Sequence, residues 1–124
     1  MIRGIGLDLC EIRRMEEAIT HPHFLSRVFS PEEQAYILSK GSTGGQTAAG
    51  LYAAKEAFLK AAGTGITHLN LCEIRVSHDE KGAPFYLPGE EMKKQLSALQ
   101  ADSAFLSITH DGGMAAALCV LEGC

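Results

Sequence analysis

The sequence TAAGLYAAKEAFLKAA spans residues 47–62 and is the most helix-prone stretch of the chain. Seven of its residues are alanine, which has the highest intrinsic helix propensity. Because alanine side chains are small, other parts of the backbone can approach such a helix closely. We therefore predict a long helix buried at the centre of the protein, ending where Gly63 and Gly65 follow it.

The N-terminal residues 1–9 read MIRGIGLDL and alternate apolar side chains with small or polar ones. This period of two residues predicts a β-strand. Strand geometry puts Asp8 on the same face as Gly4 and Gly6, which have no side chains. We therefore expect open space beside the Asp8 carboxylate, enough for a ligand or a metal ion.

Weaker patterns predict the elements around this strand and the central helix. Helices are predicted over residues 11–20, where Pro22 ends the pattern, over 30–39 behind the capping residues Ser30 and Glu33, and around 92–99. Strands are predicted over 71–76, 83–87, 104–110 and 114–121, the last two as an antiparallel pair, and 40–45 as a mobile loop. Mixed helices and strands without a βαβ rhythm indicate an α+β protein with one domain over residues 1–124.

The composition excludes several classes of function. A formal net charge of −4 argues against general nucleic-acid binding, which depends on a basic surface. No apolar run approaches the roughly 18 residues of a membrane helix, and no export-signal pattern is visible, so we expect a soluble, cytoplasmic protein without a membrane partner. The four cysteines lack CxxC spacing and are predicted to be reduced thiols rather than zinc ligands or disulfides.

Three groups of residues carry chemically useful side chains: Asp8 on the first strand, Glu56 with Lys60 on the central helix, and His110 at a strand end. Each group also has a structural interpretation. Glu56 and Lys60 stand four residues apart in the order that favours a surface ion pair worth about 0.3–0.5 kcal/mol. Asp8 and His110 can equally serve as local hydrogen-bonding groups. The residue types alone leave both interpretations open.

The sequences GIGLD at residues 4–8 and AAKEAFLKA at 53–61 together resemble the holo-acyl-carrier-protein synthase family of 4′-phosphopantetheinyl transferases. Three further segments match in order, namely Gly63-Thr64-Gly65-Ile66, Lys81-Gly82-Ala83-Pro84 and Ser107-Ile108-Thr109-His110. The resemblance implies the small transferase fold of that family, in which an antiparallel sheet packs with a long central helix. It also implies a homotrimer with active sites in the clefts between subunits.

The same resemblance implies a reaction in which a serine of an acyl carrier protein attacks the β-phosphorus of coenzyme A. The reaction uses Mg²⁺, which prefers a few carboxylates together with water and phosphate oxygens, and Asp8 and Glu56 are the matching carboxylates. Lys60 matches the residue that offsets charge on the phosphates. The base for the serine hydroxyl is either Glu56 or a metal-bound water, and the sequence does not decide between them.

Binding residues for the two substrates follow from the resemblance and from the charge pattern. The implied coenzyme A-binding residues are Lys55, Gly63, Gly65, Lys81 and His110. The only concentrated basic surface near Asp8 is predicted to bind the acidic acyl carrier protein, and it consists of Arg13, Arg14 and Arg27.

One position departs from the family pattern. Leu51 stands where the family often has an arginine that helps to hold the nucleotide phosphates. Either coenzyme A binds more weakly to this chain, or Lys40 takes the place of that arginine. Two alternatives to modification of fatty-acid carriers remain. One is a transferase of the same chemistry that serves polyketide or peptide-synthesis carriers, and the other is a non-catalytic module that binds nucleotide or carrier. The small single-unit size favours fatty-acid carriers, and the intact Asp8, Glu56 and Lys60 favour an enzyme.

Overall fold

The computed structural model describes residues 1–63 and 69–124, in which helices and strands are mixed along the chain. The strands of this part are β1 (Ile2–Glu11), β2 (Val76–His78), β3 (Pro84–Tyr86), β4 (Ser103–Asp111) and β5 (Met114–Glu122). Its α-helices are α1 (Ile12–Ala18), α2 (Pro22–Val28), α3 (Pro31–Ser39), α4 (Gly44–Ala62) and α5 (Glu90–Ala98), and two single 3₁₀ turns cover Gly41–Thr43 and Leu71–Glu73. An antiparallel sheet with a long helix confirms the predicted α+β class.

The main sheet has the strand order β1-β5-β4, and all of its pairings are antiparallel. Its inner face packs against α4, which runs through the hydrophobic core and buries most of its alanines. The hairpin from β4 to β5 turns at Gly112 and Gly113, which both have positive φ angles that glycine adopts without strain. The predicted central helix and the final strand pair are therefore both present.

Gly4 and Gly6 lie directly against the backbone of α4. A Cβ atom at Gly4 would overlap the carbonyl oxygen of Ala61, and one at Gly6 would overlap that of Ala57. The helix therefore fills the space beside these two glycines, and the expected room beside the Asp8 carboxylate does not come from them. The glycines instead allow β1 and α4 to approach more closely than side chains would permit.

The outer face of the sheet is apolar and exposed in the single chain. Ile5, Leu7 and Leu9 project from β1, and Leu7 is 62% exposed. The register continues this face across the sheet, because Leu7 lies opposite Leu118 of β5 and Val120 lies between Ile5 and Phe105. Apolar patches of this kind usually mark an interaction surface.

Helix boundaries near the N-terminus differ from the sequence prediction. Helix α1 ends at Ala18, and Pro22 begins a second helix instead of ending the first, because a proline is well suited to the first position of a helix. The expected loop over residues 40–45 is a 3₁₀ turn followed by the start of α4. Gly45 lies against the side chain of Glu16, so its lack of a side chain lets α1 approach this end of α4.

The predicted strand over residues 71–76 is wrong for most of its length. Residues Leu71–Glu73 form a 3₁₀ turn, and only Val76 belongs to β2. The carbonyl groups of Leu71 and Ile74 accept hydrogen bonds from the ammonium group of Lys55. These carbonyl groups therefore bond to a side chain of α4 and not to a neighbouring β-strand.

Composition predicted reduced cysteines and no membrane-spanning helix, and the described residues bear on both expectations. All four cysteines fall within the described residues and are free thiols; Cys10 and Cys119 are buried, as expected of reduced thiols in a core, whereas Cys72 is half-buried and Cys124 is exposed. Within residues 1–63 and 69–124, no helix has both the length and the apolar character needed to cross a lipid bilayer.

Candidate functional site

Asp8, Glu56 and Lys60 meet where β1 crosses α4. Asp8 projects from the inner face of β1 beyond the two glycines, while Glu56 and Lys60 lie one helical turn apart on α4. The close approach of strand and helix at Gly6 sets the separation of the two elements. The backbone packing therefore determines how these three side chains face one another.

Lys60 pairs with Asp8 and not with Glu56. Its Nζ donates to the Asp8 Oδ1 at 2.8 Å and to the backbone oxygen of Leu7 at 3.2 Å. The hydrogen bond from Lys60 to Asp8, together with the charge of that carboxylate, raises the pKa of Lys60. The surface ion pair within the helix, which the sequence left open, is therefore replaced by an ion pair between helix and strand.

A cavity of about 330 Å³ has both carboxylates on its walls. Its lining residues are Asp8, Leu9, Cys10, Arg14, Met15, Ala18, Phe24, Tyr52 and Glu56. A larger cavity of about 520 Å³ beside Arg27 is lined without any carboxylate, so size alone does not identify the reactive site. The combination of carboxylates with an apolar wall makes the smaller cavity the better candidate.

The pKa values of two groups in this cavity, the Tyr52 phenol and the Cys10 thiol, are raised by burial and by the nearby carboxylates. Burial, followed by the nearby Glu56 carboxylate, raises the pKa of the Tyr52 phenol. Burial and then Asp8 raise the pKa of the Cys10 thiol, with a smaller opposing effect from Arg14. Both groups stay protonated near neutral pH, and Cys10 is therefore not an activated nucleophile.

The donor set at this cavity fits Mg²⁺. Asp8 and Glu56 supply two carboxylates, and Mg²⁺ is typically held by one or two carboxylates plus water and substrate phosphates. Among residues 1–63 and 69–124, no three His, Cys, Asp or Glu side chains converge in the way expected for a site built wholly from protein ligands. The residues that would hold the ion are therefore Asp8 and Glu56.

Lys55 lies in the core and lines neither this cavity nor the one beside His110. It is 0% exposed, and its Nζ donates to Glu33 Oε1 at 2.7 Å. Burial lowers the pKa of Lys55, and the charge of Glu33 opposes that effect. The expectation that Lys55 contacts coenzyme A is not supported, because its ammonium group is enclosed by protein acceptors.

His110 belongs to a second cavity of about 340 Å³ that shares no lining residue with the first. Its Nε2 lies 3.1 Å from the side-chain nitrogen of Gln46 on α4. Lys81 stands in the turn before β3, where its backbone nitrogen donates to Asp79, and the next residue, Gly82, lines this cavity. The structure thus separates His110 and Lys81 from Asp8 and Glu56 within one chain.

An aromatic pair forms another wall of the second cavity. The rings of Tyr36 and His78 stack with centroids 4.2 Å apart, and the Lys40 ammonium lies 4.8 Å from the Tyr36 centroid. Burial and then Lys40 lower the pKa of His78, which keeps the imidazole neutral near pH 7. A flat aromatic surface beside a cation suits a heteroaromatic base that carries phosphate groups.

The remaining predicted residues fall at three separate places. Gly63 ends α4 with a φ angle of 91° and lies in the turn after Lys60. Gly65 lies outside the described residues. Arg14 lines the carboxylate cavity, Arg13 is exposed beside it on α1, and Arg27 borders the larger cavity next to Leu69.

Sequence reasoning missed several residues that line the cavities. Tyr52 could have been found, because it stands four positions before Glu56 and so lies on the same face of α4. The stacked pair of Tyr36 and His78 gives no local signal, because its members come from different elements far apart in sequence.

Comparisons with known proteins agree with this geometry. A family profile described as the 4′-phosphopantetheinyl transferase superfamily matches residues 4–119. Holo-[acyl-carrier-protein] synthase of Treponema denticola is 38% identical over 99% of this chain and 100% of its own. The crystal structure of the Neisseria meningitidis holo-[acyl-carrier-protein] synthase has a TM-score of 0.86 at 31% identity, covering 98% of this chain and 99% of its own. The Helicobacter pylori synthase in complex with coenzyme A has a TM-score of 0.79 at 33% identity, covering 95% of this chain and 99% of its own.

Proposed function

Because the chain belongs to the 4′-phosphopantetheinyl transferase superfamily and, within it, to the holo-[acyl-carrier-protein] synthases, we propose that it modifies an acyl carrier protein. It transfers the 4′-phosphopantetheine arm of coenzyme A to a carrier serine and releases adenosine 3′,5′-bisphosphate. The observation that carries this proposal is a cavity with both Asp8 and Glu56 on its walls and with Lys60 paired to Asp8. The proposed setting is fatty-acid biosynthesis by a single domain, residues 1–124, in the cytoplasm, where four free thiols would persist.

Charge neutralisation and positioning supply most of the catalysis in a transfer of this type. The serine oxygen forms a bond to the β-phosphorus as the bond to the leaving phosphate breaks. Asp8 and Glu56 would hold Mg²⁺, which when bound offsets the charge of the pyrophosphate. The exposed ammonium of Lys60 lies beside Asp8, where it adds positive charge for the leaving group. Either Glu56 or a water held by the bound Mg²⁺ would take the serine proton.

The second cavity is the proposed binding region for the nucleotide of coenzyme A. It contains His110, and Lys81 stands beside it. Leu51 is only 1% exposed and apolar, so it offers no charge to a phosphate. Lys40 lines the same cavity and supplies a cation at this edge. The complex of the Helicobacter pylori relative with coenzyme A supports this type of ligand.

Assembly into a homotrimer would bring the two cavities of neighbouring chains together. Two observations support this proposal: the nucleotide residues and the carboxylates are separated within one chain, and the outer face of the sheet is apolar. A second and third copy that cover this face would remove its leucines from water. Such burial contributes roughly 1.5–3 kcal/mol for each large aliphatic side chain.

Leu7→Glu is expected to convert the protein to monomers and to lower its activity at least tenfold, because a charged group would be buried without a partner. Sedimentation velocity and carrier modification at equal protein concentrations measure both effects. Leu38→Glu is the matched control, since Leu38 is 82% exposed and lies away from the sheet. A trimer of normal activity carrying Glu at position 7 would show that the outer face is not the interface.

Arg14→Glu is expected to raise KM for the carrier about tenfold or more at low salt, because rim charges steer an oppositely charged partner. The proposed carrier surface consists of Arg13, Arg14 and Arg27, and Arg14 is the member that borders the carboxylate cavity. Steady-state kinetics at low and high salt should give a flatter salt dependence for the variant, with little change in KM for coenzyme A.

Lys94→Glu provides the control for this charge reversal. Lys94 is an exposed lysine of α5 that pairs only loosely with Glu91, at 3.3 Å. It changes the net charge by the same amount at a site away from the cavity. Equal effects of the two reversals would mean that the carrier responds to total charge and not to the proposed surface.

The direct test of the function is mass spectrometry of an apo-carrier incubated with the protein, coenzyme A and Mg²⁺. The carrier should gain the mass of one phosphopantetheine group, and a carrier whose acceptor serine is replaced by alanine should not. Binding of coenzyme A or carrier without any mass gain would favour the non-catalytic module. Comparing fatty-acid carriers with polyketide or peptide-synthesis carriers decides the preferred substrate.

A further inference from the structure

A buried ion pair joins α3 to α4 directly beside the candidate site. Lys55 and Glu33 are 0% and 2% exposed, and they stand 22 positions apart in the sequence. Buried charges are costly unless they are paired and fully hydrogen-bonded. The function proposed above gives Lys55 no contact with substrate.

All three N–H groups of the Lys55 ammonium donate hydrogen bonds, and both Glu33 carboxylate oxygens accept them. Besides Glu33, the Lys55 Nζ donates to the backbone oxygens of Leu71 at 2.9 Å and Ile74 at 2.8 Å. Three acceptors match the three N–H groups of a charged ammonium. The Glu33 oxygens also accept from the backbone nitrogens of Ser30 and Val76, both at 2.8 Å. The pair therefore ties α4 to the start of α3, to the 3₁₀ turn Leu71–Glu73 and to the start of β2.

The close contact between α4 and β1 is made by Gly4 and Gly6 against the backbone at Ala61 and Ala57. Directional bonds also hold α4, because the Tyr86 hydroxyl donates to the Ala54 carbonyl at 2.6 Å and Lys60 donates to β1. Lys55 adds three further directional bonds, to Glu33 and to the backbone oxygens of Leu71 and Ile74. These three bonds are suited to define the angle of the helix about its axis.

Glu56 follows Lys55 directly, so the two side chains leave the helix about 100° apart. When Lys55 is held by its three acceptors, Glu56 is turned toward the cavity that it shares with Asp8. A rotation of α4 would move Glu56 and Lys60 together relative to Asp8, because all helical residues turn as one body.

We propose that Lys55 and Glu33 are positioning residues that fix the rotation of α4 and so hold Glu56 opposite Asp8. Their effect on carrier modification rests on the proposed function. Their effect on the geometry of Asp8 and Glu56 is independent of that function, because the same geometry sets the affinity of these two carboxylates for a divalent cation.

The test replaces both members of the pair with apolar residues of similar size, as Glu33→Leu with Lys55→Met. Removing one partner alone would leave an unpaired buried charge, whereas replacing both is often tolerated. We expect the melting temperature to fall, because the backbone groups that the pair satisfies lose their partners. In the folded protein kcat should fall about 10–100-fold, the range found when groups that orient metal ligands are removed. KM for coenzyme A should change little, and Mg²⁺ affinity measured by calorimetry without substrate should fall tenfold or more.

Glu91→Leu with Lys94→Met is the matched control, because it removes an exposed ion pair by the same two substitutions and should change neither quantity. A buried-pair variant with normal kcat and normal Mg²⁺ affinity would overturn the proposal. If that variant does not fold, Glu33→Gln with Lys55→Met, which also removes both charges and keeps the volume of the Glu33 side chain, is measured by the same criteria and decides the question. If the wild type fails to modify the carrier, the proposed function fails, and the Mg²⁺ affinities still decide the positioning role.

Discussion

Glu56→Ala and Asp8→Ala are each expected to lower kcat for carrier modification by about 100-fold or more, because each removes one of only two proposed magnesium ligands. The fold should survive, since neither side chain belongs to the hydrophobic core. Mass spectrometry of the carrier at saturating Mg²⁺ gives the rates, and thermal melting checks the fold. Near-normal turnover in either variant would rule out the two-carboxylate site.

Asp8→Asn separates the two tasks of this aspartate. An asparagine keeps an oxygen that can accept the hydrogen bond from Lys60 but loses the charge that attracts Mg²⁺. If Asp8 acts mainly through the metal, Asp8→Asn should be as impaired as Asp8→Ala. If it acts mainly by orienting Lys60, the asparagine variant should recover much of the activity. Glu91→Ala serves as the control for loss of an exposed carboxylate.

Gly6→Ala is expected to destabilise the protein by about 3 kcal/mol or more, at the upper end of the usual cost of overpacking. The added methyl group would overlap the carbonyl oxygen of Ala57, which belongs to the backbone of the central helix and cannot move alone. Urea unfolding of the variant and the wild type measures the difference in the free energy of unfolding.

Gly89→Ala is the matched control for this substitution. A Cβ atom there would meet only the end of the Arg75 side chain, at 3.4 Å, which is an ordinary van der Waals distance. Because Gly89 is the N-cap of α5, its replacement should cost no more than about 1 kcal/mol. Equal unfolding midpoints for the Gly6 variant and the wild type would mean that strand and helix can separate without loss of stability.

Much of the fold could be predicted because its main elements have strong local patterns. The alanines of α4 and the alternation along β1 are visible in the sequence, and both elements form where expected. The start of α2 was missed because Pro22 is compatible with either the end or the beginning of a helix. The turn Leu71–Glu73 was missed because its carbonyl groups are claimed by Lys55, a residue of another element.

The site was predictable only in part, for a similar reason. Spacing along a helix places Glu56 and Lys60 on neighbouring turns, and the structure adds Asp8 to them. Lys55 stands next to Glu56 in the sequence, but adjacency says nothing about which side chain is buried. That depends on Glu33, whose capping motif predicted a helix end and gave no sign of a partner in the core. The separation of His110 from the carboxylates likewise depends on the sheet order.

The exposed leucines of β1 tie the stability of the protein to its concentration if the proposed trimer forms. If copies of the chain cover this face, dilution withdraws that protection, and the melting temperature should rise with protein concentration by mass action. A cell that makes too little of the chain would then contain mostly unassembled copies, and the exposed apolar face of their sheet could bind other proteins. Supply of the polypeptide, and not only its catalytic rate, would therefore set how much working enzyme exists.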